Sequence, residues 1–91
     1  MRIYVENLSK KINDTQLRDL AAPFGKPDSA NIARELVGGA SKGFAFVEYR
    51  LADQARAAIA GLNGKIIHGQ ALSVIAAAEL KTRLWSATAR R

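Results

Sequence analysis

A chain of 91 residues, 48% hydrophobic and 24% charged, has the balance of one small globular domain and is too short for two. The absence of cysteine excludes disulfides, thiolate metal sites and a catalytic thiol, while one histidine, His68, leaves little for a metal centre or a Ser-His-Asp triad. With 14 basic against 8 acidic residues, the net charge of +6 favours a polyanionic partner, nucleic acid ahead of an anionic membrane surface.

Residues 2–6 alternate, with Ile3 and Val5 on one side and Arg2, Tyr4 and Glu6 on the other, which predicts a strand. A polar connection, Asn7 to Lys11, leads to a helix capped by Asn13 or Asp14. Its apolar positions Leu17, Leu20, Ala21 and Phe24 share one face. Pro23 argues for an early end, and Gly25 suits the left-handed position that closes a helix. A weaker strand over 29–35 turns Ala30 and Ile32 inward and Asn31 and Ala33 outward. Leu36 to Ser41, with Gly38-Gly39, reads as a flexible loop. The strongest strand runs from Gly43 to Tyr49, with Ala45, Val47 and Tyr49 facing one way and Phe44, Phe46 and Glu48 the other. A second helix over 51–62 buries Ala55, Ala58, Ile59 and Leu62, although Arg50 and Leu51 make a poor cap, and Asn63-Gly64 ends it. Lys65 to Gln70 forms a turn or short hairpin, with His68 as a turn residue. A last strand over 71–76 turns Leu72 and Val74 inward.

The order is βαββαβ, an α+β fold of ferredoxin-like type. Its four-stranded antiparallel sheet carries both helices on one face and leaves the other open. The inward positions of the first and third strands are already filled by Ile3, Val5, Ala45, Val47 and Tyr49. Tyr4, Phe44 and Phe46, three of the six large aromatic residues, are therefore assigned to the open face. An exposed aromatic cluster needs a purpose, and a stacking platform for unpaired bases supplies one.

Lys42-Gly43-Phe44-Ala45-Phe46-Val47-Glu48-Tyr49 matches every defined position of the octapeptide of the RNA-recognition motif, the RNP-type family. Ile3-Tyr4-Val5-Glu6-Asn7-Leu8 resembles its companion hexapeptide on the neighbouring strand. Leu62-Asn63-Gly64 followed by Gly69 to Val74 is similar to the family's passage from second helix to fourth strand. The resemblance covers residues 1–76 as one domain and implies non-catalytic binding of single-stranded RNA in post-transcriptional regulation or RNA chaperoning, with single-stranded DNA as a further candidate. By the same resemblance Tyr4, Phe44 and Phe46 stack on bases, Lys42 pairs with a phosphate, and Arg2, on the face of Tyr4, has the same option. Asn31, Glu48 and Ser73 carry groups suited to base edges, as does Glu6.

The alternative is a protein-interaction domain that uses or blocks the same sheet face. An acylphosphatase-like enzyme on this architecture would need an arginine in a phosphate-cradling loop after the first strand. Asn7 to Lys11 holds neither arginine nor glycine, so no catalytic residue, metal or cofactor is expected. Residues 77–91 form a basic tail in which Lys81, Arg83, Arg90 and Arg91 outweigh Glu79. Helix formers run from Ala77 to Trp85, with Leu80 and Leu84 on one face. No apolar run approaches the roughly 20 residues of a membrane span, and Met1-Arg2 lead directly into a strand without a signal-like stretch. The small single-domain pattern is similar to bacterial members of the family, so a cytoplasmic monomer is expected.

Overall fold

The computed structural model describes residues 1–80. The elements are β1 (Arg2–Glu6), α1 (Asp14–Ala21), a 3₁₀ turn (Ala22–Phe24), β2 (Ser29–Arg34), β3 (Ser41–Glu48), α2 (Ala52–Leu62), β4 (Ile66–Ile67), β5 (Gln70–Ala71) and β6 (Ser73–Ala76). Strands β2, β3, β1 and β6 lie side by side in that order as one antiparallel sheet, and β4 and β5 form a separate hairpin. This is the ferredoxin-like architecture that the alternation and helix periodicities predict, with the short hairpin inserted before the last sheet strand.

The core lies between the helices and one sheet face. Ile3, Val5, Ala30, Ala45, Val47, Tyr49 and Val74 meet Leu17, Ala21, Ala55, Ala58 and Leu62 in a single buried cluster. The octapeptide's last residue, Tyr49, is fully buried, and its hydroxyl donates to the Ala21 carbonyl at 2.6 Å, tying β3 to the end of α1. That burial raises the phenol's pKa, because the ionised form would lose its water.

Local chemistry explains the element ends. Asn13 caps α1 in a reciprocal box: its side chain accepts from the Gln16 amide at 2.8 Å, and the Gln16 side chain accepts from the Asn13 amide at 3.0 Å. Gly25 has a positive φ but not the expected left-handed conformation. The 3₁₀ turn containing Pro23 intervenes after Ala21, and Gly25 leaves it extended at φ 136°, ψ 155°. As expected, α2 has no side-chain cap: Leu51 stands at the N-cap position in an extended conformation, and the helix begins at Ala52, one residue later than predicted. His68 and Gly69 both take positive φ, 51° and 77°, as the two-residue turn between β4 and β5 requires. The loop between β2 and β3 covers residues 35–40, one position earlier than predicted, because β2 ends at Arg34 and β3 already begins at Ser41, which is buried. Its turn is closed by the Glu35 amide donating to Ala40 at 2.8 Å.

Candidate nucleic-acid interface

The face turned away from the helices is organised in rows that cross the strands. The central row runs Asn31, Phe46, Tyr4, Ile75 over β2, β3, β1 and β6. The next row toward the β1–α1 loop joins Phe44, Glu6 and Ser73, and the row at the opposite end joins Ser29, Glu48 and Arg2. Because side chains alternate along a strand, the same register that buries Val47 opposite Ile3 places Phe46 opposite Tyr4 on the other face.

The three rings form one cluster. Tyr4 lies 5.7 Å from Phe44 and 5.2 Å from Phe46, tilted against both, and the two phenylalanines meet edge to face at 6.3 Å. These separations are those of favourable aromatic pairs. Phe44 and Phe46 are half-buried and offer ring surface to solvent. Tyr4 departs from the expectation of an exposed ring: it is 9% exposed, on an interior strand with Phe44, Phe46 and Ile75 closing around it. Its hydroxyl lies 3.3 Å from Glu6 Oε2, where it donates. Tyr4 thus holds the cluster together as well as sharing its face.

The structure alters the reading of Arg2 and Glu48. Glu48 Oε2 is 3.0 Å from the Met1 ammonium, and Arg2 Nε is 3.4 Å from Glu48 Oε1. The ammonium's hydrogen bond, with the charges of Met1 and Arg2, outweighs partial burial and lowers the Glu48 pKa from its ordinary 4.5. Glu48 therefore has cationic partners where the sequence reading gave it to a base, and Arg2 has a carboxylate where that reading gave it a phosphate. The Arg2 guanidinium also stands 5.8 Å from the centre of the Phe46 ring, a cation–π distance. Asn31 is exposed in the central row, and Ser73 is half-buried beside Glu6.

Lys42 is exposed where the β2–β3 register shifts between Ile32 and Arg34. Gly43, next to it, has φ 84°, a conformation that side chains resist, and a Cβ there would sit 3.4 Å from the Leu8 carbonyl. Its own carbonyl accepts from the Leu8 amide at 2.9 Å. This close approach brings Lys42 beside the β1–α1 loop, where it lines a cleft with Asn7, Lys10, Lys11 and Gln70. Sequence reasoning treated Asn7 to Lys11 only as a polar connection. The Lys10-Lys11 pair directly after the hexapeptide strand was the signal available, but only the loop's path shows that it meets Lys42. In the tail, residues 77–80 are helical as expected, while the expectations for Lys81, Arg83, Leu84, Trp85, Arg90 and Arg91 lie outside the described residues.

Comparison with known proteins agrees with this geometry. The family model of the RNA recognition motif matches residues 3–73. Among relatives, the multiple RNA-binding domain-containing protein 1 of Emericella nidulans is 37% identical over 89% of this chain and 10% of its own length. The polyadenylate-binding protein, cytoplasmic and nuclear, of Chaetomium globosum is 42% identical over 79% of this chain and 9% of its own. A solved Sxl-lethal protein/RNA complex superposes with a TM-score of 0.79 at 38% identity, covering 84% of this chain and 47% of that one. The chain spans about a tenth of the length of these two curated relatives.

Proposed function

The chain belongs to the RNA recognition motif family, and from that premise we propose that its open sheet face binds single-stranded RNA by stacking bases on Phe44 and Phe46. The observation that carries this reading is the three-ring cluster, set outside a core that is complete without it. Ring faces of this kind take unpaired bases, since paired bases have their faces closed by neighbours in the stack. Tyr4 supports both phenylalanines, Lys42 neutralises a phosphate at the edge of the face, and Asn31, Ser73 and Glu6 stand beside the rings with donors and acceptors for base edges. Glu48 and Arg2 act as a pair at the opposite end, where Arg2 leaves its carboxylate only when a phosphate competes for it.

We read residues 1–76 as a binding module rather than an enzyme, acting in post-transcriptional regulation or as an RNA chaperone, with the same platform open to single-stranded DNA. The cytoplasmic location expected from the sequence belongs to this reading. Among the described residues no helix is long and apolar enough to cross a membrane. The test is a titration of the chain with mixed-sequence RNA oligomers, followed by backbone amide shifts. Shifts centred on residues 4, 31, 44, 46 and 73 are expected, whereas shifts confined to the helices, or none, would refute the assignment. A protein-interaction role for the same face predicts no RNA-induced shifts there.

A further inference from the structure

The two ends of the open face differ in charge. At one end Arg2 and Glu48 compensate each other, with the Met1 ammonium beside them. At the other, past Phe44, lies a cleft of about 440 Å³ lined by Asn7, Leu8, Ser9, Lys10, Lys11, Lys42, Gly43 and Gln70. No carboxylate lines it, and among the described residues none of its three lysines forms an ion pair. The loop that carries Lys10 and Lys11 is fixed at several points. Leu8 and Ile12 are buried, the Ile12 amide donates to Ser9 at 3.0 Å, and the Ser9 hydroxyl accepts from the Lys11 amide at 3.2 Å. The amides of Asn7 and Gln70 brace it against the hairpin, Asn7 donating to the Ala71 carbonyl at 2.9 Å and Gln70 to the Asn7 carbonyl at 3.1 Å.

We propose that this cleft is a phosphate subsite, in which Lys10 and Lys11 take a phosphate of the nucleic-acid strand as it leaves the rings past Phe44. The inference rests on the reading of the open face as an RNA platform and adds to it a direction of exit. Lys10 and Lys11 on the braced loop and Lys42 on β3 line one cleft whose lining holds no carboxylate, so their positive charge offsets the desolvation of a phosphate there. Phe44 and Lys42 stand two residues apart on β3, roughly 7 Å at the rise of a strand, so a chain stacked on Phe44 reaches the cleft with its next phosphates. The phosphate can be an internal diester or a terminal monoester.

The experiment compares the wild-type chain with K10Q/K11Q, and with K26Q/K65Q as an equal loss of charge at exposed lysines outside the cleft. Binding of a trinucleotide, of a nonamer, and of nonamers phosphorylated at either terminus is measured from 50 to 200 mM salt. Each phosphate no longer neutralised reduces the salt slope by about 0.7, so with one phosphate held in the cleft wild type should lose about 2.6-fold more nonamer affinity than K10Q/K11Q over that fourfold range of salt. Trinucleotide binding should change by less than twofold. A dependence on Lys10 and Lys11 in all nonamers identifies a diester, and one confined to a phosphorylated terminus identifies a monoester. An unchanged slope in K10Q/K11Q, or an equal change in K26Q/K65Q, overturns the subsite. Loss of trinucleotide binding in F44A reports separately on the platform, so failure of the cleft and failure of the platform give different results.

Discussion

Phe46 and Val47 are neighbours in sequence that face opposite sides of the sheet, so their alanine variants should separate binding from stability. Val47 is fully buried in the core between its partners Ile3 and Ala30. Truncating it removes two methyl groups at about 0.8 kcal/mol each and leaves a cavity, for a loss of about 2–3 kcal/mol. At about 4–8 °C per kcal/mol for a domain of this size, the melting temperature should fall by roughly 8–24 °C. Phe46 is half-buried and loses only its tilted contact with Tyr4, its edge contact with Phe44 and the Arg2 guanidinium. Pairs of this kind at partly exposed sites contribute about 0.5–1.5 kcal/mol together, so F46A should unfold a few degrees below wild type. Its loss in RNA binding should be larger. One stacked base is worth about 1–3 kcal/mol, or roughly 5- to 150-fold in Kd. Denaturant unfolding and anisotropy titration of a labelled oligomer, both below the lower melting temperature, measure the two quantities. F46A binding within twofold of wild type, or V47A losing as much affinity as F46A while folded, would refute the division of faces.

Tyr4→Ala should combine both effects: at 9% exposure its ring supports two others, so a stability loss of about 2–4 kcal/mol is expected in denaturant unfolding, above that of F46A. An equal loss in the two variants would place Tyr4 among the exposed rings instead. Glu48 has a folded pKa below its ordinary 4.5, so its pairing contributes fully above that value and is lost as the pH falls through it toward the folded pKa. Melting temperatures from pH 7 down to pH 3 should therefore fall more steeply for wild type than for E48Q, and parallel curves would show that the pairing has no weight. Gly61→Ala adds a Cβ that runs into the Phe24 ring, and the displacement should outweigh the roughly 1 kcal/mol gained in helix propensity. A net loss of about 1–2 kcal/mol is expected, and a more stable G61A would mean that Phe24 yields freely.

Much of this molecule is readable from its alternation. Ile3, Val5, Ala45 and Val47 can share a face only if Tyr4, Phe44 and Phe46 share the other, and strand geometry enforces that without knowledge of the partners. Helix positions followed for the same reason, from the spacing of Leu17 and Ala21 and of Ala55, Ala58 and Leu62. What the sequence left open depends on neighbours across strands. The burial of Tyr4 comes from β1 lying between β3 and β6, with Ile75 and Phe46 on either side in one row. The engagement of Arg2 with Glu48 comes from their direct pairing across β1 and β3, a contact between residues 46 positions apart in the chain. The conformation of Gly25 escaped because Pro23 favours a tighter 3₁₀ turn after α1, which alters the exit that glycine must make. Lys10 and Lys11 carried no periodic signal, and their relevance to Lys42 exists only in the folded loop.

The octapeptide's glycine links these scales. With φ at 84°, Gly43 takes a conformation that disfavours a side chain, and it does so where the β2–β3 register shifts. Residues 44–48 beyond it resume regular pairing with β1, so the rings of Phe44 and Phe46 inherit fixed positions from the core residues between them. Before it, Lys42 is released from the ladder and brought to the β1–α1 loop, with the Leu8 amide on the Gly43 carbonyl holding the two segments together. One backbone distortion therefore separates two kinds of surface at one strand: flat rings ordered by the sheet, and, at its end, Lys42 beside the exposed lysines of the β1–α1 loop. On the proposed reading, stacking on the rings sets where a base lies, and the lysines set how strongly the strand is held as salt rises. The two contributions can be altered one at a time.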